Sequence, residues 1–162
     1  LEAERFLFLV KIRILSVGNK PPQWVSESLA AYTSRIKHQC SLEWIEIKSE
    51  TKFDSIYQKK KEEGKKLLNH TKDTYLIALE ESGRLYSSKE FSEKMSNWIE
   101  NFSSITFVIG GADGLDSSVV NKSSSTLSLS RMTLPHHLVK IFLAEQLYRS
   151  FSILNNHPYH RE

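Results

Sequence analysis

Apolar runs too short to be helices alternate along the chain with amphipathic stretches of helical length, and this alternation constrains the fold more than any other feature. VKIRILSV (10–17), LEWIEIK (42–48), TYLIAL (74–79), ITFVIG (105–110) and TLSLS (126–130) are rich in β-branched, aromatic and other apolar residues and read as short strands. Between them, QWVSESLAAYTSRIKH (23–38), FDSIYQKKKEEGKKLLNH (53–70) and SKEFSEKMSNWIENF (88–102) carry apolar residues at helical spacing. Ser87 and Glu90 have the spacing of a capping box, in which each side chain satisfies the other residue's backbone N–H. The longest helix is expected in PHHLVKIFLAEQLYRSFSILNN (135–156), with Pro135 suited to its first turn. Strands separated by helices pair in parallel, so the pattern predicts a single α/β domain with a mainly parallel sheet flanked by helices.

A chain of 162 residues, 40% hydrophobic and 25% charged, is long enough to bury one sizeable core. Lys and Arg exceed Asp and Glu by 22 − 19 = 3, and the pI is near 8.9, which suits a polyanionic partner without demanding one. Cys40 is the only cysteine, which excludes an intrachain disulfide and a Cys-rich zinc site and predicts a cytoplasmic protein with an inert thiol. Of the six histidines, the four that cluster near the last helix, His136, His137, His157 and His160, lack zinc-site spacing, so no metal is expected. The opening FLFLV is too short to span a membrane and leads into KIRILSV without a small-residue cleavage site. Residues 1–9 are therefore expected to be an extension and residues 10–162 the domain, with no membrane partner. The dense charge run KKKEEGKK (59–66) reads first as a solvated helix face with internal Lys–Glu pairing, and second as a nucleic-acid patch.

Chemistry concentrates in two loops and the tail. FVIGGADGLD (107–116) places Gly110, Gly111 and Gly114 just past an apolar strand, where backbone can approach a ligand or other backbone closely. Its G-G-x-x-G spacing is not the dinucleotide fingerprint G-x-G-x-x-G, and no Walker lysine follows. LSLSRMTLPHH (127–137) runs from a strand into the last helix, at the sheet edge where open α/β folds bind ligands, and its apolar side chains and amides suit an adenine. In the last helix Leu138, Ile141, Phe142, Leu143, Leu147, Phe151 and Leu154 supply more than one apolar stripe, enough for the sheet and a partner chain. Glu145 and Arg149, spaced i, i+4, can pair with each other. The final NNHPYHRE packs imidazoles, a phenol and a guanidinium into a segment where small polar residues are usual.

IGGADGLD followed by LSLSRMTLPHHLVKIFLAEQLYRSFSILNNHPYHRE resembles the RlmH family, the SPOUT-class methyltransferases acting on a pseudouridine of large-subunit (23S) ribosomal RNA. The likeness extends from KIRILSVGNK to the last residue. One departure is Ala112, where many relatives carry Pro in this turn. The resemblance implies a SPOUT-type domain whose C-terminal segment forms a trefoil knot, an exception to the rule against knots. It implies S-adenosylmethionine bound by Leu79, Gly110, Gly111, Ser130, Arg131, Met132, Thr133, Leu134 and Pro135, and a homodimer built on the knot helices. It further implies a 23S rRNA substrate within the ribosome, methylated at pseudouridine N3. That imide nitrogen is a poor nucleophile while protonated, so the tail's groups acquire roles. His160 is the candidate base, Arg149 and Arg161 partners for an oxyanion or phosphate, Tyr159 a stacking platform, and Glu145 a further member of the site. The competing expectation is an RNA- or ribosome-binding module that keeps the fold without turnover. A nucleotide-dependent oxidoreductase is disfavoured by the missing fingerprint.

Overall fold

The computed structural model describes residues 9–161. The extension expected at residues 1–9 therefore lies, apart from exposed Leu9, outside the described residues. Ten elements follow in the order β1 (Val10–Val17), α1 (Gln23–Ile36), β2 (Cys40–Ile47), α2 (Ile56–Leu68), β3 (Tyr75–Leu85), α3 (Ser88–Asn101), β4 (Ser104–Ile109), α4 (Ser117–Lys122), β5 (Ser125–Ser128) and α5 (His136–Leu154). All sheet pairings are parallel, in the spatial order β2-β1-β4-β3-β5.

The strand periodicity of two sorts the apolar side chains into two cores. On one face Ile12, Ile14, Ile77, Ile105 and Phe107 pack with Phe91, Met95 and Trp98 of α3 and Leu143, Leu147 and Phe151 of α5. On the other, Leu15, Val17, Leu76, Ala78 and Val108 meet Leu67 of α2 and Val119 of α4. Val25 and Leu29 of α1 close on Ala144 of α5. Covered on both faces, the central strands read as continuous apolar runs, as parallel sheets require.

Local chemistry sets the element ends. Glu90 N–H donates to Ser87 Oγ at 3.1 Å and Ser87 N–H to Glu90 Oε2 at 3.4 Å, the reciprocal cap expected from the sequence. α4 escaped the sequence reading because its six residues are too few for a periodicity; Asp116 starts it by accepting from Ser118 N–H at 3.1 Å. β3 runs beyond the expected Leu79 because its pairing with β5 shifts register between Leu79 and Arg84, so Glu80–Gly83 bulge out before the ladder resumes. β5 ends at Ser128, not Ser130: Ser128 Oγ donates to the Ser130 carbonyl at 3.0 Å and Met132 N–H to Ser130 Oγ at 2.9 Å, a local turn that replaces the ladder. Pro135 stands as the N-cap of α5, immediately before its first turn.

Candidate active site

At the carboxyl ends of β4 and β5 and the bulge inside β3 a cleft of about 610 Å³ opens, within the range that holds a drug-sized ligand. Three segments far apart in sequence wall it: the bulge after Leu79, the glycine loop from Gly110 to Gly114, and the turn from Ser128 to Leu134. Leu79, Ile109, Leu127, Leu129 and Val139 supply apolar lining. Of the nine residues expected to hold a cofactor, Leu79, Gly110, Gly111, Ser130, Met132, Thr133 and Leu134 line this one space. Arg131 and Pro135 do not: Arg131 Nη1 donates to the Glu81 carbonyl, tying the turn to the β3 bulge, and Pro135 serves to start α5.

The glycine loop is built by close backbone approach. A Cβ on Gly110 would lie 2.5 Å from the Gly114 carbonyl carbon, a contact no side chain tolerates. Gly114 sits at φ +84°, and its N–H donates to the Gly111 carbonyl at 3.0 Å, closing the turn. At Gly111 a Cβ would face Val17 Cγ1 at 3.3 Å and the buried Glu63 carboxylate at 3.7 Å, so its small size serves packing against β1 and α2. Two carboxylates, Glu80 and Glu81, line the cleft. Burial pushes the Glu80 carboxyl above the ordinary range, aided by Glu81 and opposed by Lys60.

The sequence reading gave His136 no role beyond excluding it from a zinc site. Its ring lines the cleft and its Nε2 lies 3.2 Å from Ser16 Oγ of β1. Burial lowers its pKa to about 4, reinforced by the charge of Lys140 one turn along α5 and by His137, and opposed by a backbone hydrogen bond with Gly110. A neutral imidazole thus bridges β1, the glycine loop and α5. Lys140, fully buried, is compensated by Glu46 of β2. No periodicity distinguishes these two residues from ordinary helix positions; an imidazole followed at i+4 by a lysine on a core-facing stripe is the signal that was available.

The tail forms a separate cluster on α5. Glu145 Oε1 accepts from Arg149 Nε at 2.9 Å, Arg149 Nη2 at 2.6 Å and the Tyr159 hydroxyl at 3.1 Å, while Oε2 takes Gln146 Nε2 at 2.8 Å. The Glu145 bond holds the Arg149 guanidinium even more firmly charged than usual, and burial, then the Glu145 bond, raises the Tyr159 phenol. Arg149 stacks 4.8 Å from the Tyr159 ring centroid, and Tyr148 lies 4.5 Å from it. Arg149 Nη1 is 3.1 Å from His160 Nδ1. A guanidinium can only donate, so Nδ1 accepts and Nε2 carries the hydrogen when the ring is neutral. Arg161 is exposed beyond this cluster. None of these residues lines the cleft, and at 1.5 Å per helical residue Glu145 and Arg149 stand roughly 14 and 20 Å along α5 from His136.

Cys40 is buried, which pushes its thiol up to about 12 and makes it unreactive at neutral pH. Among the described residues no group of three His, Cys, Asp or Glu side chains is placed to hold a metal ion, and no helix is long and apolar enough to cross a membrane.

Known proteins share this sequence and fold. The family described as "Predicted SPOUT methyltransferase" matches residues 10–160. "Ribosomal RNA large subunit methyltransferase H" of Francisella philomiragia is 43% identical over 155 residues, covering 94% of this chain and 100% of that protein. The protein of that name from Methylobacillus flagellatus is 40% identical over 155 residues with the same coverage. A probable methylase family protein from Haemophilus influenzae Rd KW20 superposes with a TM-score of 0.54 over 93% of this chain and 70% of its own, at 15% identity, which is a likeness of fold.

Proposed function

Since this chain belongs to the RlmH family of SPOUT methyltransferases and is thereby an rRNA methyltransferase, we propose that it uses S-adenosylmethionine to methylate N3 of a pseudouridine in 23S rRNA, acting as a cytoplasmic homodimer on the assembled ribosome. The observation that carries the cofactor assignment is the cleft itself. Its apolar lining and turn amides suit an adenine, its glycine loop admits backbone contact where a Cβ on Gly110 would collide, and Glu80 and Glu81 offer acceptors for ribose hydroxyls or an ammonium. When bound, S-adenosylmethionine supplies an electrophilic methyl group on a sulfonium.

The chain's own residues must bind the nucleotide and favour its imide anion. Glu145 accepts four hydrogen bonds and is the anchor of the tail, not a base. With Nδ1 held by Arg149, His160 offers Nε2–H as a donor, so its role is stabilising the N3 anion with Arg149 and Arg161 while the proton leaves to water. Tyr159 stacks on the base.

A second copy resolves the separation of cleft and tail. Leu138 and Phe142, spaced i, i+4 on α5, and Met132 in the cleft turn remain exposed, at 43%, 39% and 78%. We place the partner on this apolar stripe, so that each site combines one chain's cleft with the other chain's tail, and we assign the segment from β5 through α5 to a trefoil knot. The test is transfer of a tritiated methyl group from S-adenosylmethionine to assembled ribosomes, free large subunits and naked rRNA. Label in a 23S pseudouridine is expected, strongest with assembled particles. Absence of label in all three would refute the reading.

A further inference from the structure

α2 carries Lys59, Lys60, Lys61, Lys65 and Lys66, with Lys61 and Lys65 exposed and the other three partly buried, and part of this charge is neutralised locally. Lys65 pairs with Glu62 at 3.0 Å, Lys66 with Glu50 at 3.1 Å and Lys59 with Asp113 at 3.6 Å, while Glu63 is buried. Lys60 and Lys61 reach no carboxylate at ion-pair distance among the described residues. The Lys59–Asp113 pair also fixes where this face lies, because Asp113 lines the cleft. Lys60 acts on Glu80, another lining residue, and both Lys60 and Lys61 act on Asp116 at the foot of the glycine loop. Beside the lysines the helix start exposes large apolar side chains: Tyr57 is 67% exposed, Ile56 60% and Phe53 37%. Lys61 Nζ stands 5.8 Å from the Tyr57 ring centroid. A face that only had to be soluble would not present Tyr57 and Ile56 to water.

We propose that the first two turns of α2 are a docking platform for single-stranded RNA leading to the cleft, with Lys60 and Lys61 on phosphates and Tyr57 stacking on a base. This inference rests on the rRNA substrate assigned above and names the surface that holds the strand. Compact ammonium groups with no carboxylate at ion-pair distance suit phosphates, and an exposed ring beside them suits any base face.

Filter binding of an in vitro transcript of bacterial 23S rRNA, from 50 to 200 mM KCl, tests the surface independently of turnover. Lys60→Gln with Lys61→Gln should lower affinity about tenfold at low salt and reduce the slope of log affinity against log salt by about 0.7–0.9 for each phosphate no longer neutralised. Tyr57→Ala should cost about fivefold or more with little change of slope. Affinity for S-adenosylmethionine, measured by calorimetry, should match wild type in Tyr57→Ala, which has no part in the cleft. Wild-type affinity and slope in the lysine variants, or a weakening seen with ribosomal particles but not with naked transcript, would overturn the proposal, the latter by pointing to a protein occupant. A wild-type chain that binds the transcript but labels neither assembled ribosomes, free large subunits nor cellular rRNA would instead refute the enzymatic reading and leave this surface standing.

Discussion

At the scale of single residues, two histidines in comparable sequence settings do different work because of what surrounds them. His160 accepts from Arg149, and its Nε2 is thereby a donor. His160→Asn should therefore retain a substantial fraction of methyl transfer while His160→Ala loses about a hundredfold to a thousandfold, the scale of one oxyanion donor. Equal loss in both would restore the imidazole as a base. His136 is the buried case. Its pKa of about 4 in the fold lies below the ordinary 6.5, so between these values the unfolded chain binds the extra proton. The stability it contributes is complete above pH 6.5 and is lost as pH falls toward 4. Discounted for partial exposure, the loss is on the order of 2 kcal/mol. Melting temperatures of wild type and His136→Asn measured from pH 7.5 to 4 should converge toward acid; parallel curves would contradict the assignment. The loops that wall the cleft and the tail cluster were legible in sequence because glycine clusters and a concentrated polar end stand out against their surroundings, while a cofactor role for the loops came from the family resemblance alone. His136 was not, since its significance lies in Ser16 and Gly110, which only the fold brings to it.

At the scale of elements, hydrophobic periodicity located all five strands and the four longer helices, because each buries a repeated apolar face. It could not find α4, which depends on the Asp116 cap, or the bulge after Leu79, which depends on pairing with β5. Nor could it foresee that α5 would bury a charge. Lys140 is wholly enclosed, and Glu46 on β2, on the sheet face that α5 covers, neutralises it. Glu46→Gln leaves the ammonium without compensation and should destabilise by about 2–4 kcal/mol, whereas Lys140→Met, which removes the charge and keeps the volume, should cost about 1 kcal/mol or less. Urea unfolding of the two variants checks this ordering. A milder effect for Glu46→Gln than for Lys140→Met would mean that the pair contributes little.

At the scale of the whole molecule, the distance between cleft and tail makes each subunit of the proposed dimer an incomplete catalyst by itself. One homodimer truncated after Asn156 lacks the tail, and another carrying Gly110→Ala lacks a sound cleft, since the new Cβ meets Gly114 backbone. Unfolded and refolded together, they should form mixed dimers in which one site has both parts, restoring roughly a quarter of all sites with random pairing. Mixed dimers on size exclusion with methyl transfer at background would show that the tail serves its own chain. The strand order carries a further consequence, for the chain's birth. β1 leaves the ribosome first yet sits inside the sheet, with Lys11 opposite Ser41 on one side and Ser104 on the other. At synthesis rates of about 5–20 residues per second, its second edge stays bare for roughly 3–12 s after the first has a partner. An rRNA-modifying protein of this topology thus spends its nascent life as an open apolar ladder, and a chaperone holding β1 and β2 until β4 arrives would decide how much of it survives translation.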